Sequence, residues 1–348
     1  MIRTVKQTAL STMRNAGVFD LAGRSRWRHE RLLILGYHGI SQEDEHLWNP
    51  ALFVAPEHLA SRMRFLRARR FNVLPLSDAL HRLRTGTLPE RSVAVTFDDG
   101  YVDFYRFALP ILRAYQIPAT VYLTTYYSEH NGPVPGITAA YILWKSRSFF
   151  GPLTTVPGFE GVYLRDPVER RLVADAVGRY FTDERTLSPA EKDRMLQELA
   201  AETGFDLKPF QRRRLMHVMT PSEATEVFAA GIDVQLHTHR HWVPRDEALI
   251  RREIIENRER IAEITGRVPH HFCYPSGIHF PEMLPWLRSL GVQSATTCEA
   301  GLATPEDDPL LLPRFLDHST VSLVEFEAWA SGVGSVLPRR PVMELASR

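Results

Sequence analysis

Val93-Ala94-Val95-Thr96-Phe97-Asp98-Asp99-Gly100-Tyr101 runs from an apolar, β-branched segment straight into two carboxylates and a glycine turn. Such a run reads as a strand buried on both faces, whose C-terminal end alone opens to solvent. In α/β proteins that end is where ligands and reacting groups collect. Two adjacent acids delivered there repel one another and lose hydration, so a compensating charge is required. Asp98-Asp99-Gly100 taken alone is also an ordinary Asp-Gly turn. A second strand end sets it apart: Ile232 to Leu236 leads directly into His237-Thr238-His239-Arg240-His241. Imidazoles and a carboxylate suit zinc and similar divalent ions, and three such ligands leave a position open for water. Residues four apart share a face in a helical turn, so His237 and His241 are expected to converge, with His239 turned elsewhere.

Outward from these two segments, short apolar runs alternate with helical patterns, the signature of βα units around a parallel sheet. Strands are expected at Leu32 to Gly36, Asn72 to Leu74, Ser92 to Phe97, Ala119 to Leu123, Ile232 to Leu236, His271 to Tyr274, Gln293 to Thr296 and Leu312 to Phe315. Helices are expected at Pro56 to Arg69, after Ser77 as N-cap, up to Tyr115, and at Glu247 to Thr265, Pro281 to Leu290 and Ser322 to Ala330. About seven parallel strands in this order predict an α/β protein, a distorted (β/α) barrel over residues 32–333. From about residue 125 to 220 strand signals nearly vanish, and Pro189 to Glu202 with Ser188 before it is a capped helix, so this stretch is read as a mostly helical insertion. It serves either as a lid or buttress or as a shaper of the substrate groove. Trp144, Phe149 and Phe150 are expected to form its own small core. Residues 1–31 read as a helical lead-in and residues 334–348 as a frayed tail.

Bulk properties exclude several classes. Of 348 residues, 42 are Lys or Arg and 41 Asp or Glu, a net charge of +1 that speaks against a nucleic-acid binder. Arginine runs such as Arg67 to Arg70 are solvated helix faces. Two cysteines, Cys273 and Cys298, cannot make a disulfide scaffold and are not in CxxC spacing. No segment has the length of a membrane-spanning helix, and the N-terminus lacks the apolar core of an export signal. The expected location is therefore the cytoplasm, with the amphipathic lead-in available to touch the inner membrane face or a partner. Gly36 and Gly100 are turn glycines, and no phosphate-cradle or dinucleotide fingerprint occurs.

Taken together, the ordered motifs resemble the polysaccharide deacetylases, the NodB-type domain of carbohydrate esterase family four. Thr96-Phe97-Asp98-Asp99-Gly100-Tyr101 is similar to that family's TFDDGY motif, and His237-Thr238-His239-Arg240-His241 to its H-[ST]-x-x-H motif. Phe272-Cys273-Tyr274-Pro275-Ser276-Gly277 resembles the third motif in its F-x-Y-P-x-G form, Leu312-Pro313-Arg314 a late L-P-R segment, and Tyr37-His38 an opening Y-H segment. The resemblance spans about Leu32 to Trp329, interrupted by the insertion. It implies that Asp99, His237 and His241 hold a divalent metal, zinc first, with cobalt, nickel and manganese as alternatives. It further implies that Asp98 is the general base for water attacking an acetamide carbonyl, and that the backbone N–H of Ser276 meets the oxyanion. His38 is the preferred proton donor to the leaving amine and His318 the competitor; a histidine suits that task because it titrates near neutrality.

Where many family members have an arginine that tethers the base, this chain has Cys273. Arg314 is expected to supply the missing charge by pairing with Asp98. Ser276 replaces an aromatic residue common in the family, so the resemblance does not define one wall of the sugar groove. Tyr101, Tyr274 and Pro275 are placed around the substrate, and Tyr122, Tyr126, Tyr127 and Trp242 are further aromatics near the motifs. The activity implied is removal of N-acetyl groups from amino sugars of a polysaccharide or its lipid-linked precursor in the cell envelope. An inactive glycan-binding homologue and a hydrolase of non-carbohydrate amides or esters are the alternatives. Glycoside hydrolysis by paired carboxylates is disfavoured, because the adjacent Asp98 and Asp99 cannot easily flank a sugar bond at the required separation.

Overall fold

A computed structural model describes residues 2–183 and 187–337 of the chain. Its strands in chain order are β1 (Leu33–Tyr37), β2 (Gly39–Ile40), β3 (Phe53–Val54), β4 (Asn72–Val73), β5 (Ser92–Phe97), β6 (Thr120–Leu123), β7 (Asp233–Leu236), β8 (His271–Cys273), β9 (Ser294–Thr296) and β10 (Phe315–Leu316). The main sheet is parallel throughout and runs β10-β1-β5-β6-β7-β8-β9. β4 takes the lower half of one edge of β5, at Asn72↔Ser92, and β6 the upper half, at Thr96↔Thr120. β2 and β3 form a separate parallel pair.

The two ends of the sheet meet through one segment. Leu312 bridges Thr296 at the end of β9, and three residues later Phe315 pairs with Leu35 of β1. Pro313, which has no N–H to donate, falls at this changeover. The result is a distorted (β/α) barrel. The expected strand Leu312 to Phe315 is thus corrected: Leu312 contributes a single bridge, and the strand itself is Phe315–Leu316.

All six residues of β5 are buried, as its unbroken apolar pattern requires. Alternate positions serve two cores. Ile34, Ala94, Tyr122 and Cys273 face the barrel interior, where the helix Leu76–Thr85 packs through Leu76, Ala79, Leu80 and Leu83. Leu35, Val95, Val121, Leu123 and Phe272 face the outer helices, meeting Leu59, Met63, Ile250, Ile254, Met283 and Phe326. Ser77 is not the cap of its helix, which begins at Leu76 after Pro75. Its hydroxyl instead bonds His271 Nε2 at 2.7 Å.

Between β6 and β7 lie the helices Thr125–His130, Pro135–Lys145, Pro167–Asp183, Pro189–Thr203 and Leu207–Arg213, before Pro221–Ala229 returns the chain to the barrel. They enclose a core of their own around Tyr141, Leu143, Val177, Phe181 and Leu199, with Trp144 and Phe149 at its edge. Phe150 does not belong to it; at 58% exposure it lies on the surface. The helix Pro189–Thr203 starts with a full capping box, Ser188 accepting from Glu191 N and Glu191 bonding back to Ser188.

The lead-in is docked on the barrel. The helix Ile2–Asn15 packs against Leu323–Ser331, with Leu10, Phe19, Val324, Ala328 and Val333 in one cluster. Arg28, fully buried, ties it down by donating to Ala330 O, Arg31 O and Ser92 O. The face expected to touch a membrane or partner therefore meets the chain's own helix. Of the tail, Val333–Val336 is a short helix, and residues from 338 lie outside the described residues. Among the described residues no helix is long and apolar enough to cross a membrane.

Two buried histidines make this fold acid-sensitive. Desolvation pushes His217 and His271 each down to about 4 from an ordinary 6.5. Both are neutral when folded at neutral pH and take up a proton only in the unfolded chain. The unfolded state therefore binds more protons between these values, and stability falls as pH drops from 6.5 towards 4, by up to about 3 kcal/mol per group. Urea midpoints should descend across this window, and His271→Asn should flatten part of the descent. A midpoint indifferent to pH there contradicts the reading.

Candidate active site and metal centre

The functional side chains sit on loops leaving the C-terminal ends of the strands. After β5 the chain continues one hydrogen bond further, Asp98 N donating to Tyr37 O at 2.9 Å, and then turns sharply. Asp99 and Gly100 both adopt left-handed φ, +69° and +77°. Asp tolerates that region better than most residues with a Cβ. Gly100 is required twice over, since a Cβ there would lie 2.4 Å from Leu123 Cδ1. This turn sends the two carboxylates in different directions, Asp98 towards β10 and Asp99 towards the loop after β7.

That second loop is not a helical turn. Thr238 and His241 have φ of +59° and +53°, and these two left-handed residues fold the segment back on itself. Convergence of His237 and His241 is as expected, but its cause is the double reversal. His237 Nδ1 donates to Cys273 O at 2.9 Å, which fixes the tautomer and leaves the Nε2 lone pair free to bind. Nε2 of His237 and Nε2 of His241 each lie 3.1 Å from Asp99 Oδ1. The three prospective ligand atoms are within 4.8 Å of one another. One carboxylate and two imidazoles, converging with one tautomer already set, fit a divalent ion of the zinc type. Burial pushes the Asp99 carboxyl up, but His241 and His237 together hold it well below its usual range, so it is ionised.

Several supports were invisible in the sequence. Asn257, fully buried in the helix Glu247–Thr265, accepts from His237 N and donates to Leu123 O and Thr125 Oγ1, joining the loops after β6 and β7. His239 is turned away from the ligands, as expected, though its partner was not: its Nδ1 lies 2.8 Å from Thr125 Oγ1, and Arg240 is anchored on Glu253 and Glu256. Tyr37 Oη, Arg62 Nε and His58 Nε2 all meet Asp317 Oδ2, at 2.9, 3.0 and 3.2 Å, which clamps the end of β1 to that of β10.

Asp98 is held from below. Arg314, fully buried, donates Nη1 to Oδ1 and Nη2 to Oδ2, both at 2.8 Å, with Nε bonded to Thr297 O. This fork-on-fork geometry suits a guanidinium and no other side chain. Gly36 leaves room for it: a Cβ there would stand 3.3 Å from Arg314 Nη1 and 2.5 Å from Leu316 Cδ2. Cys273 completes the pocket, Sγ 3.2 Å from Arg314 Nη2 and 3.4 Å from Asp98 Oδ2. Burial pushes the Asp98 carboxyl up, yet the Arg314 charge overrides it and brings it down to about 2.

His38 Nε2 lies 3.4 Å from Asp98 Oδ2, on the same loop layer. Burial lowers its pKa, opposed by Asp98 and Asp99. His318 follows β10 with Nδ1 3.0 Å from Thr320 Oγ1. The structure thus brings together Asp98, Asp99, His38, His237, His241 and Arg314.

The residues placed around the substrate are mostly corrected. Tyr274 is buried, its hydroxyl donating to Leu310 O and its ring against Phe272, so it cannot stack on a sugar. Pro275 is buried too. Tyr101 is 4% exposed; burial and then the Asp99 charge, which its hydroxyl approaches, push that hydroxyl well above its usual range. It supports a ligand rather than lining a groove. Tyr122 is in the barrel interior. Ser276 alone of this group is exposed, with φ +55° in a tight turn.

Residues 85–295 match the family described as Polysaccharide deacetylase. Over 322 residues the chain is 32% identical to poly-β-1,6-N-acetyl-D-glucosamine N-deacetylase of Escherichia coli K12, a match covering 92% of this chain and 42% of that protein. The chain therefore spans less than half the length of that relative. Among solved structures, it superposes on Streptococcus pyogenes deacetylase PplD in complex with acetate with a TM-score of 0.56 at 17% identity, covering 84% of this chain and 94% of that one. IcaB from Ammonifex degensii gives 0.54 at 18% identity, over 86% and 97% of the two chains. At such identities the likeness speaks to the fold.

Proposed function

The chain belongs to the polysaccharide deacetylase family, and from that premise we propose that it hydrolyses the N-acetyl groups of a poly-N-acetylglucosamine-type glycan with the help of a divalent metal. The observation that carries the reading is Asp98, ionised and held by Arg314 on both oxygens, immediately beside the converging Asp99, His237 and His241. A catalytically inactive glycan binder would have no use for a charged base in that position. The name of the E. coli relative supports the choice of substrate.

Asp99, His237 and His241 would hold the ion, which when bound supplies Lewis acidity towards the acetamide carbonyl and lowers the pKa of the attacking water. Asp98, an acceptor throughout the neutral range, takes the proton that water loses. Arg314 keeps both carboxylate oxygens in place during that transfer, so the base needs no reorganisation. His38, within reach of Asp98 Oδ2, delivers a proton to the amine nitrogen as the C–N bond breaks, and the proton on Asp98 restores it. Acetate and a protonated amine result, with one water consumed. Ser276, exposed in the turn after β8, presents a backbone N–H for the oxyanion.

Acetate release from β-1,6-linked N-acetylglucosamine oligomers tests the reading. Chelation should abolish release, and zinc or cobalt should restore it. His237→Ala and His241→Ala should lose bound metal, measured by elemental analysis, together with at least about 100-fold in turnover, since even outer-shell partners of a metal ligand cost 10- to 100-fold. Wild-type metal content in both variants would overturn the ligand assignment.

A further inference from the structure

The ligand loop after β7 holds two residues in a costly conformation. Thr238 and His241 both carry side chains in the left-handed region, which persists only where the surroundings over-determine it. Neither is a glycine, so the loop has no intrinsic preference for this shape. The constraint comes largely from one face of the helix Glu247–Thr265. Asn257 takes the first N–H of the segment, that of His237. Glu253, one turn earlier on the same face and 2% exposed, takes two more. Its main-chain O accepts from His239 N at 3.1 Å, and its Oε2 accepts from Arg240 N at 2.7 Å.

The other carboxylate oxygen, Oε1, accepts from Arg240 Nη1 at 2.8 Å. Glu253 thus grips the main chain and the side chain of one residue, the one immediately before His241. A glutamate is seldom this buried unless its charge is matched, and here the matching charge belongs to the loop itself. From the opposite side, Thr124 Oγ1 and Tyr126 N donate to His239 O at 3.0 and 2.8 Å. An ion pair that merely stitched helix to loop would need the guanidinium alone. The bond to Arg240 N reaches the backbone path between the two imidazoles.

We propose that Glu253 is a positioning residue for the ligand set: through its hydrogen bond to Arg240 N it keeps the loop in the shape that brings His241 Nε2 to Asp99 Oδ1. It acts through His241 rather than on the ion. The proposal rests on the reading of Asp99, His237 and His241 as metal ligands.

Zinc titration of the metal-free protein against a chelating dye tests it, with wild type, Glu253→Met and Glu253→Gln. Methionine has a similar length and no strong acceptor, and Arg240 keeps Glu256 at 2.6 Å, so the variant should fold, as a thermal melt of the metal-free protein would confirm. Glu253→Ala replaces it if it does not. Zinc affinity should fall about 10- to 100-fold in Glu253→Met, the scale on which groups that orient a metal ligand act. Glutamine keeps an acceptor oxygen for Arg240 N, and a neutral hydrogen bond is about half as strong as a charge-assisted one, so Glu253→Gln should stay within about fivefold of wild type. The cobalt-loaded methionine variant should also show a weaker, shifted visible absorption, the signature of altered ligand geometry. Wild-type zinc affinity in a folded Glu253→Met or Glu253→Ala overturns the positioning role, and so does a glutamine variant no better than methionine. A wild type that binds no zinc overturns the metal reading and this proposal with it. Affinities in the expected order, without acetate release from any β-1,6-linked N-acetylglucosamine oligomer, overturn the deacetylase reading and leave the role of Glu253 standing.

Discussion

Asp98→Asn is expected to bind its metal normally and to lose about 10²- to 10⁴-fold in turnover, the range over which a positioned general base contributes. The prediction follows from the division made by the Asp99–Gly100 turn. Asp98 lies outside the ligand triad, so elemental analysis should give wild-type metal content. Asparagine keeps one oxygen for Arg314 but turns an N–H towards the other guanidinium nitrogen, so a modest loss of stability accompanies the loss of rate. Steady-state acetate release, with metal content measured on the same sample, checks both halves. Turnover above about a tenth of wild type would place the base elsewhere.

Arg314→Met carries the second large effect, this time on stability as well as rate. The pair is buried on both sides, with Arg314 at 0% and Asp98 at 2% side-chain exposure. Removing one partner of such a pair leaves an uncompensated charge and costs about 3–5 kcal/mol. The sign of the accompanying pH effect follows from the direction of the shift. Arg314 holds Asp98 down at about 2, so the carboxylate is ionised at any working pH. Without the guanidinium, burial is opposed only by the weaker pull of His38 and His237, and the acid limb of kcat/KM should move up by about one to three units. Denaturant unfolding and a pH–rate profile measure the two effects. The double variant Arg314→Met/Asp98→Asn should regain part of the lost stability, because an absent pair leaves less unsatisfied than a broken one. Equal stability of single and double variants would show that the pair is not the unit acting here.

The expectation that Arg314 stands in for the arginine missing at Cys273 came from a gap in a motif. The structure shows why the exchange fits: a small thiol at Cys273 leaves the space under Asp98 into which the guanidinium of Arg314, just before β10, reaches, over a glycine at position 36. Tyr274 went the other way. It stands in a motif beside functional residues, yet its hydroxyl is used by Leu310 O and its ring by the core. Adjacency in a motif specifies the backbone path, whereas the outward or inward direction of each side chain depends on the strand's pleat and on what packs against it.

Residue order and hydrophobic pattern were enough for the alternation of strands and helices, for the buried strand that carries the acids, for the helical insertion and for the candidate ligands. These are local properties: periodicity, capping groups and the chemistry of short motifs are written in neighbouring residues. What depended on folding was the contacts between distant segments that lie outside the motifs. The closure of the barrel through Leu312 and Phe315, the Asn257 brace under His237, the docking of the lead-in by Arg28 and the Asp317 clamp each join residues far apart in the chain. Such contacts arise only when packing brings together groups whose burial must be matched by a partner, and no short stretch of sequence contains both halves of the match.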